Sequence, residues 1–224
     1  MNIIITGVTG VAGSETMRQS LADPRINRVT AISRRPLTLQ HEKLRVIIVK
    51  DFLDYSGITN DLKDHDACLW CLGVSQNQVR SDEEYHTITH DYTIAAARAF
   101  LSINPNIIFG FVSGMGADTT EKSKTLFARV KGKTENALLE LPFKKLYLFR
   151  PGGIQPIQKK ENPMWYEYIL NPIFFPLMRL VVPTMMITSV ELAKVMIHIL
   201  FNGAPKTMLE NKDLRNIIHE FNIS

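Results

Sequence analysis

Three glycines at intervals of three, Gly7, Gly10 and Gly13, stand between an apolar run, Met1-Asn2-Ile3-Ile4-Ile5-Thr6, and a helical pattern that begins at Val11. A glycine-rich turn between a strand and a helix has a definite chemical use. The first glycine permits a tight turn, the second lets backbone approach a pyrophosphate, and the third lets the helix pack closely on the sheet. The helix start then offers unpaired amides and a positive dipole end to the phosphates. Gly7, Thr9, Gly10, Val11, Ala12 and Gly13 are therefore expected to hold the pyrophosphate of a dinucleotide.

The next strand bears on which dinucleotide. About twenty residues past the glycines, an acid would hold a bare ribose 2′-hydroxyl. The chain instead reads Ala31-Ile32-Ser33-Arg34-Arg35-Pro36. No carboxylate is there to repel a 2′-phosphate, and two guanidinium forks suit its oxygens. Ser33, Arg34 and Arg35 thus point to NADP(H), the alternative being a solvated basic turn. Asp51 and Phe52, after the third strand, fall where adenine would lie, and Leu72 and Gly73 end the fourth strand beside the cofactor track. These four are placements by topology.

Short apolar runs alternate with helical patterns, the signature of βαβ units and a parallel sheet. Strands are expected at Asn2–Thr6, Arg28–Ser33, Arg45–Lys50, Ala67–Leu72, Asn106–Ser113 and Lys145–Arg150. The first helix spans Val11 to about Ala22. A capping box at Ser81-Asp82-Glu83-Glu84 opens another, with an apolar face of Tyr85, Ile88, Tyr92, Ala95, Ala96 and Ala99. A third runs from about Ser123 to Glu140. Thr188-Ser189-Val190-Glu191 caps a further helix, closed by Gly203 and Pro205, and a short strand (206–209) and a last helix (212–221) follow. The fold class is α/β: one Rossmann-type domain over residues 1–224, a doubly wound parallel sheet with a small C-terminal substrate-side region. That region is 151–190, of which 151–183 is rich in Pro and aromatics, and Trp165–Phe175 could roof a pocket.

The composition is ordinary for a globular chain: 224 residues, 45% hydrophobic and 21% charged, with 26 basic and 22 acidic side chains. A formal charge of +4 is too mild to argue for nucleic acid. The N-terminal apolar run lacks a basic start and stops at Gly7, so it reads as a buried strand rather than a signal peptide. Prolines and Arg179 interrupt the apolar stretch 168–183, which excludes a spanning helix, and a cytoplasmic location is expected. Cys68 and Cys71 form a C-x-x-C on a strand, where positions i and i+3 face opposite ways. Two buried core thiols are expected, and no metal ligands.

Further tags extend the glycine turn: Cys71-Leu72-Gly73, His90-Asp91-Tyr92, Val112-Ser113-Gly114-Met115-Gly116-Ala117-Asp118, Val130-Lys131-Gly132-Lys133-Thr134-Glu135, Phe149-Arg150-Pro151-Gly152 and Leu209-Glu210-Asn211-Lys212. As a set, over residues 2 to about 220, they resemble the atypical short-chain dehydrogenase/reductases, in particular the Tat-interacting oxidoreductase group. The resemblance implies NADPH as cofactor, strand order 3-2-1-4-5-6, and a cleft at the carboxyl ends of the strands. It assigns Ser113 to orienting a substrate carbonyl and Lys131 to binding ribose, with Pro151 and Gly152 as further cofactor contacts. The proton-exchanging tyrosine is replaced by Phe127. A phenyl ring can neither donate nor accept a proton, and such help is typically worth a factor of ~10²–10⁴. His90 and Tyr92 are the nearest substitutes by topology. Three functions follow: an NADP(H)-dependent reductase of a small carbonyl, a catalytically weak NADPH sensor that engages a protein partner, and, last, a nucleotide-sugar epimerase.

Overall fold

A computed structural model describes residues 1–157 and 185–221. The segment 158–184, which includes the aromatic stretch Trp165–Phe175, lies outside the described residues. The main sheet is assembled from β1 (Asn2–Thr6), β2 (Arg28–Ser33), β3 (Leu44–Ile48), β4 (Ala67–Trp70), β5 (Ile108–Val112), β6 (Lys145–Arg150) and, late in the chain, β9 (Met208–Glu210). Its seven strands run in the order β3-β2-β1-β4-β5-β6-β9, and every ladder is parallel. Strand order reverses between β1 and β4, where open α/β sheets bind ligands at their carboxyl edge.

Helices cover both faces because β1 is apolar on both. Ile3 and Ile5 pack with Met17 and Leu21 of α1 (Val11–Ala22) and with Leu192, Val195 and Met196 of α6 (Ser189–Asn202). Ile4 packs on the other side with Ile94, Ala97 and Phe100 of α4 (Tyr92–Ile103) and with Leu138 of α5 (Leu126–Leu139). The helices α2 (Thr59–Leu62), α3 (Asp82–His86) and α7 (Asn211–Glu220) complete the set among the described residues. Cys68 is fully buried on the α4 face. Cys71 lies on the α1 face, only half-buried, so one of the two expected core thiols is at the margin.

Several boundaries differ from the sequence reading. β3 stops at Ile48, β4 at Trp70 and β5 at Val112, each short of expectation, because their last residues turn into loops at the carboxyl edge. A second, two-stranded parallel sheet pairs β7 (Gly153–Gln155) with β8 (Met186–Thr188). The helix expected after Ser81 is not continuous: a π turn, Thr87–Asp91, separates α3 from α4. Its extra residue shifts the phase of the buried face. Of the expected face Tyr85 and Ala96 are buried, while Ile88, Tyr92, Ala95 and Ala99 are half-exposed and Thr89, Thr93, Ala97 and Phe100 are buried in their place. No helix among the described residues is long and apolar enough to cross a membrane.

Candidate functional site

The glycine turn sits at the reversal point of the sheet. Gly7 has φ of 64°, and a Cβ there would lie 2.3 Å from the carbonyl oxygen of Cys71. A Cβ on Gly13 would lie 2.3 Å from the carbonyl oxygen of Gly7. Both glycines are thus demanded by the close approach of turn, helix and β4. Thr6 reinforces this contact, its Oγ1 accepting the amide of Leu72 at 3.1 Å. Gly10 is different. It is exposed and forms the N-cap of α1, and a Cβ there would meet only the carbonyl oxygen of Gly7, at 3.3 Å. The fold itself has little use for glycine at position 10, whereas a ligand approaching the backbone does. No side chain caps α1, which leaves the amides of Val11, Ala12 and Gly13 as the orphan donors of a helix start. Thr9 is exposed beside them. This is a fit to a pyrophosphate.

Beyond β2, Ser33 Oγ accepts the amide of Arg35 at 3.3 Å, which shapes the turn. The side chains of Arg34 and Arg35 are exposed and have no partner among the described residues. Asp51 is exposed, and its Oδ1 accepts the amide of Leu53 at 2.9 Å. Phe52 is 1% exposed, with its ring 6.3 Å from Trp70, 6.5 Å from Tyr55 and 5.6 Å from Tyr92. What Phe52 has to offer a ligand is therefore backbone. Leu72 is half-buried and Gly73 exposed at the end of β4.

At the next strand end, the structure brings Ser113, Lys131 and Phe127 together. Ser113 Oγ is buried and has no hydrogen-bond partner among the described residues. Such an atom normally finds one. Lys131 is 6% exposed, donates from Nζ to the carbonyl of Val112 at 3.0 Å, and lies 4.6 Å above the centroid of Phe111. Burial pushes its pKa down to about 8, against an opposing pull from Glu135. Gly132 makes this placement possible, since a Cβ there would lie 1.8 Å from the carbonyl oxygen of Asp118. Phe127 packs beside Tyr85, Leu126 and Val130, with its para carbon against Gly114. No phenol occupies that position.

The support behind these groups is an ion pair that the sequence reading did not assemble. Arg150 donates to both carboxylate oxygens of buried Glu135, through Nε at 2.9 Å and through Nη2, and to Glu210 at 2.8 Å. It ties α5 to β6 and β9. The available signal was spacing: Glu135 is four residues past Lys131, on the same buried helix face. Pro151 accepts the amide of Met115 at 2.8 Å, and Gly152 donates to Asn211 Oδ1 at 2.9 Å, so both fix the loops around the site. Tyr92 is held against Phe52, and His90 against Asp91 at 2.8 Å.

A comparison with protein-family models finds no match. Among curated proteins, the chain is 35% identical over 179 residues to Leucinostatins biosynthesis cluster protein T of Purpureocillium lilacinum, covering 77% of this chain and 64% of that one. It is 27% identical over 164 residues to Protein HTATIP2 of Rattus norvegicus, covering 72% and 66%. The chain thus spans just under two thirds of the length of these relatives. A solved oxidoreductase of the short chain dehydrogenase/reductase family from Burkholderia thailandensis superposes with a TM-score of 0.69 at 16% identity, covering all of this chain and 97% of that one. Its identity is low enough that it speaks for the fold. The relatives add a likeness in sequence. The chain resembles the atypical short-chain dehydrogenase/reductases. Among these, it is similar to the Tat-interacting group. Phe127 stands where the resemblance expects a tyrosine, beside Ser113 and Lys131.

Proposed function

We propose that the chain binds NADP(H) and is a reductase-type protein whose own turnover of small carbonyl compounds is weak. The carrying observation is the pairing of an uncapped helix start over Gly10 with two exposed arginines, unpartnered among the described residues, one strand away. The first suits a pyrophosphate and the second a 2′-phosphate. When bound, the cofactor supplies or accepts hydride. The chain's own residues do the rest. Lys131 Nζ holds ribose hydroxyls, and Ser113 Oγ, with no competing partner among the described residues, donates to a carbonyl oxygen. Phe127 contributes no proton. That absence favours a second reading, a cofactor-dependent sensor that engages a protein partner.

Calorimetric titration with NADPH and NADH, beside absorbance assays of NADPH oxidation against a panel of carbonyls, tests both readings. Preferential NADPH binding with slow turnover supports the proposal. Tight binding with no turnover selects the sensor. Equal affinity for the two cofactors, or no binding of either, overturns it.

A further inference from the structure

Away from the glycine turn, the junction of α3 and α4 gathers three groups with metal-ligand chemistry. His90 Nδ1 lies 2.8 Å from Asp91 Oδ1, and His86 Nδ1 lies 3.4 Å from the same oxygen. The two imidazole rings are 4.7 Å apart, and one ligand atom from each of the three residues falls within 4.8 Å of the others.

The π turn is what assembles them. In an α-helix, residues i and i+4 share a face, but residue i+5 stands about 140° around the axis from residue i. His86 and Asp91 are related in that way, and an uninterrupted helix would part them. A turn closed by i→i+5 bonding brings residue i+5 back over residue i, and such turns gather at functional sites. Here the turn spans Thr87–Asp91, immediately after His86. The arrangement costs the helix its regular hydrogen bonding and yields two imidazoles aimed at one carboxylate oxygen.

We infer that His86, His90 and Asp91 form a binding site for a divalent transition cation of the zinc type. Imidazole and carboxylate are the donors such an ion takes, at about 2.0–2.2 Å. Tetrahedral coordination at that distance sets ligand atoms about 3.3 Å apart, close to the spacings already present. All three side chains are partly exposed, at 32%, 16% and 38%, so an ion can reach them. Three protein ligands leave a position for water, the pattern of an open rather than a purely structural site. His86 also lines a cavity of about 450 Å³ with Asp82, Glu83, Glu121, Arg129 and Lys133. The carboxylates there favour a cation's approach. Lys133 opposes it, with Nζ 3.1 Å from His86 Nε2. That side chain is exposed, and its flexible stem allows it to swing away.

The test is titration of the whole chain with Co²⁺, followed by its visible absorption, and then displacement by Zn²⁺. One ion should bind per chain. His90→Ala and Asp91→Asn should each weaken binding about tenfold or more, with unchanged circular dichroism and melting. Lys133→Ala, which removes no ligand, should tighten binding severalfold, so the inference does not depend on the ligand variants folding. NADPH affinity should be the same in all of them, which separates this site from the dinucleotide proposal. Absence of saturable binding by the wild type overturns the inference. So does binding that survives the His86→Ala, His90→Ala double variant, which would place the ion elsewhere, or Lys133→Ala with unaltered affinity.

Discussion

The para carbon of Phe127 faces the backbone of Gly114, one residue past Ser113: a Cβ built on Gly114 would sit 2.6 Å from it. A tyrosine hydroxyl would be attached at that carbon. Phe127→Tyr therefore places a phenol beside Ser113, with a small tilt of the ring to clear the glycine. NADPH affinity should stay about the same, and turnover of a reducible carbonyl should rise, by up to the ~10²–10⁴ that proton transfer supplies. Steady-state NADPH oxidation by the two proteins checks this. Brisk wild-type turnover that the substitution fails to raise would show that another group provides the proton.

Gly10→Asp separates cofactor binding from folding. The Cβ meets only one carbonyl, at 3.3 Å, and Asp is a favoured N-cap. The melting temperature should hold or rise slightly. Binding of NADPH should be lost, since the carboxylate fills the pyrophosphate's space and repels it. Unchanged affinity by calorimetry would move the phosphates away from this turn.

The double substitution Arg34→Ala, Arg35→Ala addresses the 2′-phosphate. A charge-assisted hydrogen bond contributes about 1.5–3 kcal/mol, so one good contact gives roughly a ten- to hundredfold preference for NADPH over NADH. The variant should bind both cofactors alike and NADH about as well as before. Discrimination that persists would assign the 2′-phosphate to other residues.

Lys131 makes a prediction about stability. Its folded pKa, about 8, lies below its ordinary value of 10.5, so between these the unfolded chain binds more protons. Stability contributed by this group therefore rises as pH increases from about 8 to 10.5, and the cost of its buried charge, up to about 3 kcal/mol, is fully present below pH 8. Lys131→Met should stabilise the protein by about 1–3 kcal/mol at pH 7, and by less at pH 9.5. Both thiols act in the opposite sense at high pH, because burial pushes Cys71 up to about 12 and Cys68 well above its ordinary value. Comparing variant with wild type in urea cancels Cys68, and keeping the comparison at pH 9.5 or below keeps Cys71, which Lys131 pulls down, protonated in the folded chain. A difference that does not change with pH would mean Lys131 is not held with a depressed pKa.

Much of this was legible in the sequence where the determinant is local. The glycine spacing predicts the turn, and Thr188-Ser189-Val190-Glu191 predicts a capping box. Both of its hydrogen bonds are present, at 3.0 and 2.7 Å. What escaped was set by distant or cumulative geometry. The β7–β8 ladder joins Gly153 to Met186, and no pattern within either segment announces the partner. The π turn escaped because Tyr85 to Ala99 fits a continuous helical period. A single inserted residue is invisible until the burial of Thr93 and Phe100 reveals the new phase. The His86–His90–Asp91 cluster went unseen for the same reason. Phe52 is placed by topology where adenine would lie, and no local pattern announces that its ring joins an aromatic cluster whose members come from three separate parts of the chain.

The packing of α1 against α6 has a consequence for the order in which the molecule can come into being. Gln19 reaches across to the carbonyl of Val190 at 3.1 Å, and Met17 and Leu21 share a core with Leu192 and Val195. The helix that starts at the glycine turn is made well before its cover, because the residues that join them stand 171 positions apart in the chain. β9, which borders β6, is later still. Parallel ladders allow no hairpin shortcut, and pairings so distant along the chain form slowly. A nascent chain arrested near residue 180 would thus display the glycine turn on a helix with one apolar side bare. That side would stay open to wrong partners until residues 189–202 followed to close it.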